Sequence, residues 1–149
     1  MAQQRRTHKK PVVYRRAMAE GNLRLRPATL AHIRRHTVAK GDPISVAEVA
    51  GLQAMKRTAD LIPFCHSIPL TGSRIEFTLH RTQIHVRAEA ETVGRTGVEM
   101  ESLVGASVAL LTVWDMVKYL EKDARGLYPA TRLGPVRVVV KEKREVGRK

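Results

Sequence analysis

The stretch that decides the fold spans residues 94–122 and reads GRTGVEMESLVGASVALLTVWDMVKYLEK. Small and apolar residues fill most of it from Val98 to Val117, a length that predicts a helix of about six or seven turns. Its centre, residues 103–114, has no ionisable side chain and is therefore expected to lie in a core or an interface. Thr96 followed by Glu99 is typical of a capping box at the start of such a helix.

Charged residues mark both ends of this helix. Asp115 and Lys118 stand at i and i+3, so they share one face and are expected to touch, although the same spacing is typical of a weak surface ion pair. Glu101 and Asp115 fall within about 40° of the same face but ~21 Å apart along the axis, so they cannot act on one atom. Either the ligand is long, or the two ends serve different copies of a site in an oligomer. The second interpretation is favoured because it also explains an apolar centre long enough to cross an interface.

Length and composition suit one folded domain. The chain has 149 residues and a hydrophobic content of 43%, which fits one core and argues against global disorder. Its single cysteine, Cys65, excludes an internal disulfide and a cysteine-cluster metal site within one chain. No apolar run approaches the ~20 residues of a membrane span, and the first residues lack the apolar segment of a secretory signal. The sequence therefore predicts a cytoplasmic protein with no membrane partner.

Positive charge is concentrated at the two ends of the chain. The net charge is +13, of which the first sixteen and last nine residues carry +9, so the body between them carries only +4. Basic ends bind nucleic acid non-specifically or stay solvated, and a mildly basic body fits an anionic small molecule as well as a polynucleotide. We expect a flexible basic arm over residues 1–15, a single domain over 16–141 and a basic tail over 142–149.

The remaining chain alternates between strand and helix patterns. Alternating polarity predicts strands and apolar residues at helical spacing predict helices, while Gly51 inside one helix predicts close packing against a neighbour. The last strand contains Val138–Val140 and is expected to be buried on both faces. The order indicates an α+β fold of the ferredoxin-like βαββαβ class, an antiparallel sheet with helices on one face. The predicted elements are a strand at 16–26, helices at 27–37 and 44–61, strands at 74–81 and 84–93, the long helix, and a strand at 136–141.

An apolar loop, residues 60–72, interrupts this pattern before the second strand. Pro63 and Pro69 exclude a regular helix there and flank Cys65 and His66. The imidazole of His66 is either a structural hydrogen-bond donor or a group at a rigid, partly desolvated site where acid–base chemistry is possible. Cys65 fits a small buried thiol better than a nucleophile. His32, His36, His80 and His85 show no ligand spacing with acids or with Cys65, and the i, i+4 pair of His32 and His36 is more often a chance pairing on a helix than a zinc site, so we expect no metal site.

Four segments carry a family resemblance: KGD at 40–42, AMKRTADLIPFCH at 54–66, GRTGVEMESL at 94–103 and SVALLTVWDMVK at 107–118. They closely resemble the motifs of the cyclic pyranopterin monophosphate synthase family, the second enzymes of molybdenum-cofactor synthesis. The resemblance implies a ferredoxin-like fold, hexamers built as trimers of dimers with active sites at subunit interfaces, and no cofactor. It also implies a diphosphate-releasing lyase that converts (8S)-3',8-cyclo-7,8-dihydroguanosine 5'-triphosphate, supplied by an upstream radical enzyme, into cyclic pyranopterin monophosphate.

The roles of individual residues follow from the same resemblance. The family's catalytic aspartate and its lysine partner fall on Asp115 and Lys118, which we expect to act as the general acid–base pair. The chain departs from the family at Ser67, where proline is usual, and in its last residues, KEKREVGRK, which replace a glycine-rich tail. The substrate-binding positions that the resemblance implies are Phe64, Cys65, His66, Met100, Glu101, Lys40, Lys56 and Glu99.

A nucleic-acid-binding ferredoxin-like module is the alternative from another class. Such modules stack bases on exposed strand aromatics, whereas aromatic residues make up 4% of this chain and Phe77 is the one aromatic on the predicted strands. Basic ends alone would give non-specific binding, so no specific nucleic-acid partner is expected. A structural oligomer without catalysis would leave Lys40, His66, Asp115 and Lys118 unexplained.

Overall fold

One antiparallel sheet with helices on one face forms the frame of the molecule. In the computed structural model, which describes residues 2–147, the elements are β1 (Val13–Arg24), α1 (Pro27–Arg34), α2 (Pro43–Lys56), α3 (Thr58–Leu61), β2 (Gly72–Leu79), β3 (Gln83–Gly94), α4 (Glu99–Glu121), β4 (Arg132–Leu133) and β5 (Arg137–Arg144). β1 pairs with β3 along one edge and with β4 and β5 along the other, while β2 pairs with the far edge of β3. All these pairings are antiparallel, so the predicted α+β, ferredoxin-like βαββαβ fold is confirmed.

The helix α4 lies across the buried face of β1. Every second side chain along β1 is buried, as expected for a strand with one face in the core. Ser102 Oγ donates to the Ala17 carbonyl oxygen at 3.0 Å. A Cβ placed on Gly21 would lie 3.2 Å from Leu110 Cδ1, so the absence of a side chain at Gly21 lets α4 approach the strand closely.

By length and composition α4 would pass as a membrane span. It has 23 residues, and its mean hydropathy is 1.4 over the most apolar 18-residue window. The expectation that no segment reaches that length was therefore too strong. In the fold, one face of α4 packs on the sheet and another face packs against α2, which is the arrangement of a core helix.

The close packing of α2 against α4 confirms the prediction made from Gly51. A Cβ on Gly51 would lie 2.9 Å from the Gly105 carbonyl oxygen of α4, closer than such atoms approach in proteins. The two helices run antiparallel, because the turn at Gly41, where φ is +118°, lies beside Met116 near the end of α4. This turn carries Lys40 to the C-terminal end of α4.

The start of α4 differs from the sequence prediction. The N-cap residue is Val98, and no side chain caps the first turn, so the predicted capping box of Thr96 and Glu99 is wrong. The Glu99 carboxylate instead lies 2.8 Å from Lys141 Nζ on β5. Glu99 pairs with a lysine on a strand of the sheet and takes no part in a cap, and local spacing cannot reveal such a distant partner.

The last strand also differs from its prediction. Val138 and Val139 are each 37% exposed, so burial of Val138–Val140 on both faces is wrong within one chain. β5 lies at the edge of the sheet, where β1 is its pairing partner among the described residues. A run of valines satisfies the pattern of a central strand and that of an apolar edge equally well.

Both terminal boundaries lie closer to the ends than the sequence indicated. β1 begins at Val13, inside the predicted arm 1–15, and β5 continues to Arg144, inside the predicted tail 142–149. Arg15 is buried and donates from Nε to the Gly94 carbonyl oxygen at 3.0 Å, which fixes the start of β1 to the end of β3. Residues 1, 148 and 149 of the predicted ends lie outside the described part of the chain.

Candidate functional site

An ion-paired cluster stands at the C-terminal end of α4. Asp115 Oδ1 lies 3.0 Å from Lys118 Nζ, so the contact predicted from their spacing is confirmed. Lys40 Nζ lies 3.7 Å from Asp115 Oδ2 and donates to the Asp115 carbonyl oxygen at 3.1 Å. The side chains are 61% exposed for Asp115, 43% for Lys118 and 45% for Lys40. The cluster is therefore organised by charge and not by burial.

The charges in this cluster reinforce one another. The hydrogen bond and the positive charge of Lys118, together with the charge of Lys40, hold the pKa of Asp115 below its usual value. The hydrogen bond and negative charge of Asp115 in turn raise the pKa of Lys118. In the free chain both groups therefore stay charged near neutral pH. Proton transfer between this pair and a substrate requires that water around it be displaced.

The local sequence explains why Lys40 reaches Asp115. Gly41 takes a positive φ that side-chain-bearing residues rarely adopt, and it turns the chain directly after Lys40. Asp42 then caps α2, since its Oδ1 accepts from the Ile44 N–H at 3.1 Å. The cap fixes the start of α2 beside the end of α4, and Lys40 precedes it by two residues.

A second group of candidate residues surrounds the N-terminal end of α4. The apolar loop after α3 closes over the first turn of the helix and forms one wall of a cleft of about 380 Å³. Glu101 does not line this cleft; it lies beneath the loop and is only 2% exposed. The predicted residues that line the cleft are Phe64, Cys65, His66, Glu99 and Met100.

The carboxyl group of Glu101 is held in an apolar setting. Its Oε2 lies 3.9 Å from Cys65 Sγ, and its Oε1 is buried with no hydrogen-bond partner among the described residues. Burial, and to a lesser extent the charge of Glu99, raise the pKa of Glu101. Burial and the neighbouring Glu101 raise the pKa of the Cys65 thiol in the same way. This part of the site therefore favours the protonated form of both groups.

Glu99, two residues earlier, is shifted the opposite way. Burial alone would raise its pKa, but the hydrogen bond from Lys141, a backbone N–H and the charges of Lys141 and Arg15 hold it below the usual value. The first turn of α4 thus presents one carboxyl group with a lowered pKa and one with a raised pKa. Pairs of this kind are found where acid and base roles are divided between two acids.

Within one chain the two groups of candidate residues do not meet. Glu101 and Asp115 both belong to α4, and fourteen residues of helix separate them by ~21 Å. Lys56 ends α2 directly after Met55, whose side chain lies against Gly105 in the N-terminal half of α4. Lys56 is exposed and belongs to the N-terminal side, whereas Lys40 belongs to the C-terminal side.

Two charged residues with clear structural roles were missed by sequence reasoning. Lys141 neutralises Glu99 across the sheet edge. Glu121 is fully buried at the end of α4, where it accepts from Thr131 Oγ1 at 2.7 Å, from the Arg26 N–H at 3.2 Å, and from Thr29 Oγ1. A glutamate at the end of a long helix is normally solvated, so no local pattern marks Glu121 as buried.

Two further features of the molecule bear on the alternatives. Among residues 2–147 no group of three or more His, Cys, Asp or Glu side chains is arranged to hold a metal ion. Phe77, the strand aromatic on which a nucleic-acid module would stack bases, packs against the core. Tyr14, which β1 also includes, lies under the Arg144 guanidinium, 4.2 Å from its ring centre. Neither ring is a free stacking surface.

Comparison with known proteins points to one family. A probable cyclic pyranopterin monophosphate synthase of Pyrococcus furiosus is 50% identical over 138 residues, which cover 93% of this chain and 88% of the relative. A protein of the same name from Archaeoglobus fulgidus is 51% identical over 131 residues, or 88% and 84% of the two chains. A Methanothermobacter thermautotrophicus relative, named a probable cyclic pyranopterin monophosphate synthase accessory protein, is 49% identical over 137 residues, or 92% and 86%.

A family model described as MoaC family matches residues 6–144. The match covers β1 through β5 and includes both groups of candidate residues. About half of the aligned positions are also identical in relatives of nearly the same length. The chain therefore belongs to the MoaC family.

Proposed function

We propose that this protein is a cyclic pyranopterin monophosphate synthase of molybdenum-cofactor biosynthesis. It converts (8S)-3',8-cyclo-7,8-dihydroguanosine 5'-triphosphate into cyclic pyranopterin monophosphate and releases diphosphate, a lyase reaction. Family membership and the names of the relatives support the proposal. The single observation that carries it is the Asp115–Lys118 ion pair with Lys40 beside it, since an acid, an amine and a further cation are the groups that this reaction needs.

The reaction requires proton transfers at two places. When the cyclic phosphate forms, a substrate hydroxyl oxygen bonds to the α-phosphorus, the bond from that phosphorus to the β-phosphate oxygen breaks, and diphosphate leaves. The hydroxyl proton passes to a base, and ring opening needs a proton donor. Asp115 and Lys118 act as this general acid–base pair. When substrate displaces the water around the pair, the pKa of Asp115 rises and that of Lys118 falls, so the two values approach each other. In the exposed pair without substrate the two values stay apart.

The remaining candidate residues bind the substrate. Lys40, Lys56 and Lys118 supply compact positive charges for the triphosphate. His66 holds the purine-derived or the phosphate end of the substrate from the opposite wall. Glu101 stabilises the loop from beneath through Cys65, with which it is in contact.

The complete site lies between subunits. One subunit supplies the loop and the N-terminal end of α4, and the other supplies the C-terminal end, because no single chain joins them. Exposed apolar side chains near the middle of α4 and along α2, namely Leu111, Val46 and Val49, fit such an interface. We propose a hexamer built as a trimer of dimers, located in the cytoplasm and supplied by an upstream radical enzyme.

Purified protein is incubated with the cyclic triphosphate, and released diphosphate and pterin fluorescence after oxidation are measured. Both should appear together, and their absence would overturn the proposed function. The interface is tested by mixing two inactive variants, His66→Ala and Asp115→Asn, under conditions that exchange subunits. Random exchange should restore roughly a quarter of the sites. Mixed oligomers that regain no activity would contradict a site shared between subunits.

A further inference from the structure

The N-terminal segment, residues 3–10, lines the same cleft as the candidate loop. It was predicted to be a flexible basic arm, yet it supplies the wall that faces Phe64 and His66. The segment makes a turn in which the Lys10 N–H donates to the Thr7 carbonyl oxygen at 2.9 Å. Its side chains in the cleft are Gln3, Arg5, Thr7 and Lys10.

The segment is anchored at its far end. Arg15, buried at the start of β1, donates from Nη2 to the Pro11 carbonyl oxygen at 3.4 Å and from Nε to the Gly94 carbonyl oxygen at 3.0 Å. These bonds connect the segment to the end of β3, close to the first turn of α4. The hydrogen bonds of Arg15 therefore fix the position from which residues 3–10 extend into the cleft.

Lys10 stands where two clefts adjoin. The second cleft, of about 450 Å³, shares Lys10, Gly97 and Glu99 with the first. Cations dominate its lining, since Arg15, Arg16, Lys141 and Lys143 face it together with Glu142. A ligand with a chain of negative charge could extend from one cleft into the other past Lys10.

The cations of the segment that line the cleft are not ion-paired within the part of the chain that the structure describes. Residues 1–16 contain no acidic side chain, and neither Arg5 nor Lys10 has an ion-pair partner among the described residues. Glu99, the acid that lines both clefts together with Lys10, is already paired with Lys141. Unpaired cations beside a cleft favour an anionic ligand, and a guanidinium with an ammonium suits phosphate oxygens.

We infer that residues 3–10 are part of the substrate site, in which Arg5 and Lys10 bind the phosphate oxygens of the substrate. The inference rests on the proposed function for the identity of that substrate, but not for its phosphate chemistry. The arm is then a wall of the site whose two cations add to those of Lys40, Lys56 and Lys118.

The test compares the double variant Arg5→Gln/Lys10→Gln with a charge-matched control, Arg35→Gln/Arg81→Gln. All four side chains are exposed, so thermal unfolding should match the wild type in both variants. Two quantities are measured in the full chain: KM for the cyclic triphosphate, and the dissociation constant of inorganic triphosphate by titration calorimetry. Loss of two charge-assisted contacts should raise both by at least about tenfold in the arm variant, while the control changes neither and kcat changes less than KM.

The two proposals fail in different ways. If the wild type makes product and the arm variant behaves as the control does, the arm takes no part in the site and the inference is overturned. If the wild type makes no product but the arm variant still weakens triphosphate binding, the proposed function fails and the phosphate site stands. An equal loss of binding in the control would show that net charge alone attracts the anion, which also overturns the inference.

Discussion

The two ends of α4 hold carboxyl groups in opposite settings. Glu101, near the start, lies beneath the loop with Cys65 as its neighbour, and its pKa is raised by burial. Asp115, near the end, lies in solvent between Lys40 and Lys118, and its pKa is lowered by their charges. On this one helix, burial in the core of the subunit determines the pKa shift of Glu101, and exposed cations determine that of Asp115.

The difference shows which part of the site is fully formed within a single chain. The buried end is already packed and desolvated, so its protonation preference is present before any ligand arrives. The exposed end has its groups in contact but still in water, where an ion pair contributes little energy. Its chemistry depends on whatever displaces that water, which under the proposed function is the substrate and the neighbouring subunit.

The largest expected effect comes from breaking the exposed end. Lys118→Ala and Asp115→Asn should each lower kcat by about 10²–10⁴-fold, the usual contribution of a general acid or base. Their free energies of unfolding should stay close to that of the wild type, because an exposed ion pair stabilises little. Diphosphate release and urea unfolding of the same samples measure both quantities.

A second exposed ion pair provides the control. Arg74 and Glu76 on β2 are also paired and exposed, so Arg74→Ala and Glu76→Gln remove similar charges on the face of β2 opposite to the buried Ile75. These variants should keep wild-type activity. Near-full product formation by a folded Lys118→Ala variant would mean that the pair on α4 is an ordinary surface pair.

Local spacing explains what the sequence could predict about this helix. The length of α4 and the Asp115–Lys118 contact follow from neighbours within a few residues. The burial of Glu101 depends on a loop more than thirty positions away, and the pairing of Glu99 depends on a strand some forty positions away. Such partners are chosen by the tertiary fold, so a pattern in one segment cannot reveal them.

The next largest effect is expected on the unfolding free energy when the two buried glutamates at opposite ends of α4 are substituted. Glu121 accepts from Thr29, Thr131 and the Arg26 N–H, whereas Glu101 Oε1 has no hydrogen-bond partner within residues 2–147. Glu121→Gln should therefore lose about 2–4 kcal/mol of unfolding free energy, and Glu101→Gln should stay within about 1 kcal/mol of the wild type. Urea unfolding at neutral pH measures both, and the reverse order would contradict the bonding described for the two sites.

The sequence does not distinguish these two glutamates. Glu101 stands at the start of α4, where the helix dipole favours a carboxylate, and Glu121 stands at its end, where the dipole disfavours one, but neither position shows whether the side chain is buried. Burial of Glu121 requires Thr131, Thr29 of α1 and the Arg26 N–H just before α1 to converge on it. The same limit applies to β5, whose valines fit an edge or a central strand.

The pH dependence of stability should separate the two ends by sign. The folded-state pKa of Glu101 lies above its usual value of about 4.3. Its contribution to stability is therefore full below about pH 4.3 and is lost as the pH rises through the folded-state pKa. Across that range the wild type should lose stability relative to Glu101→Gln. Asp115, with a lowered pKa, should give a weaker effect of opposite sign, in which Asp115→Asn approaches the wild type as the pH falls below about 3.9.

The smallest expected effect is on the reactivity of Cys65. Burial and then the charge of Glu101 raise the pKa of this thiol, and Glu99 contributes least. In Glu101→Gln the midpoint of the pH–rate profile for alkylation by iodoacetamide should move to lower pH, yet remain above that of a free thiol because burial persists. Glu99→Gln should move it less, and Glu76→Gln should leave it unchanged. An unmoved midpoint in Glu101→Gln would mean that Cys65 and Glu101 are not neighbours in solution, and the buried end would then be no more complete within one chain than the exposed end.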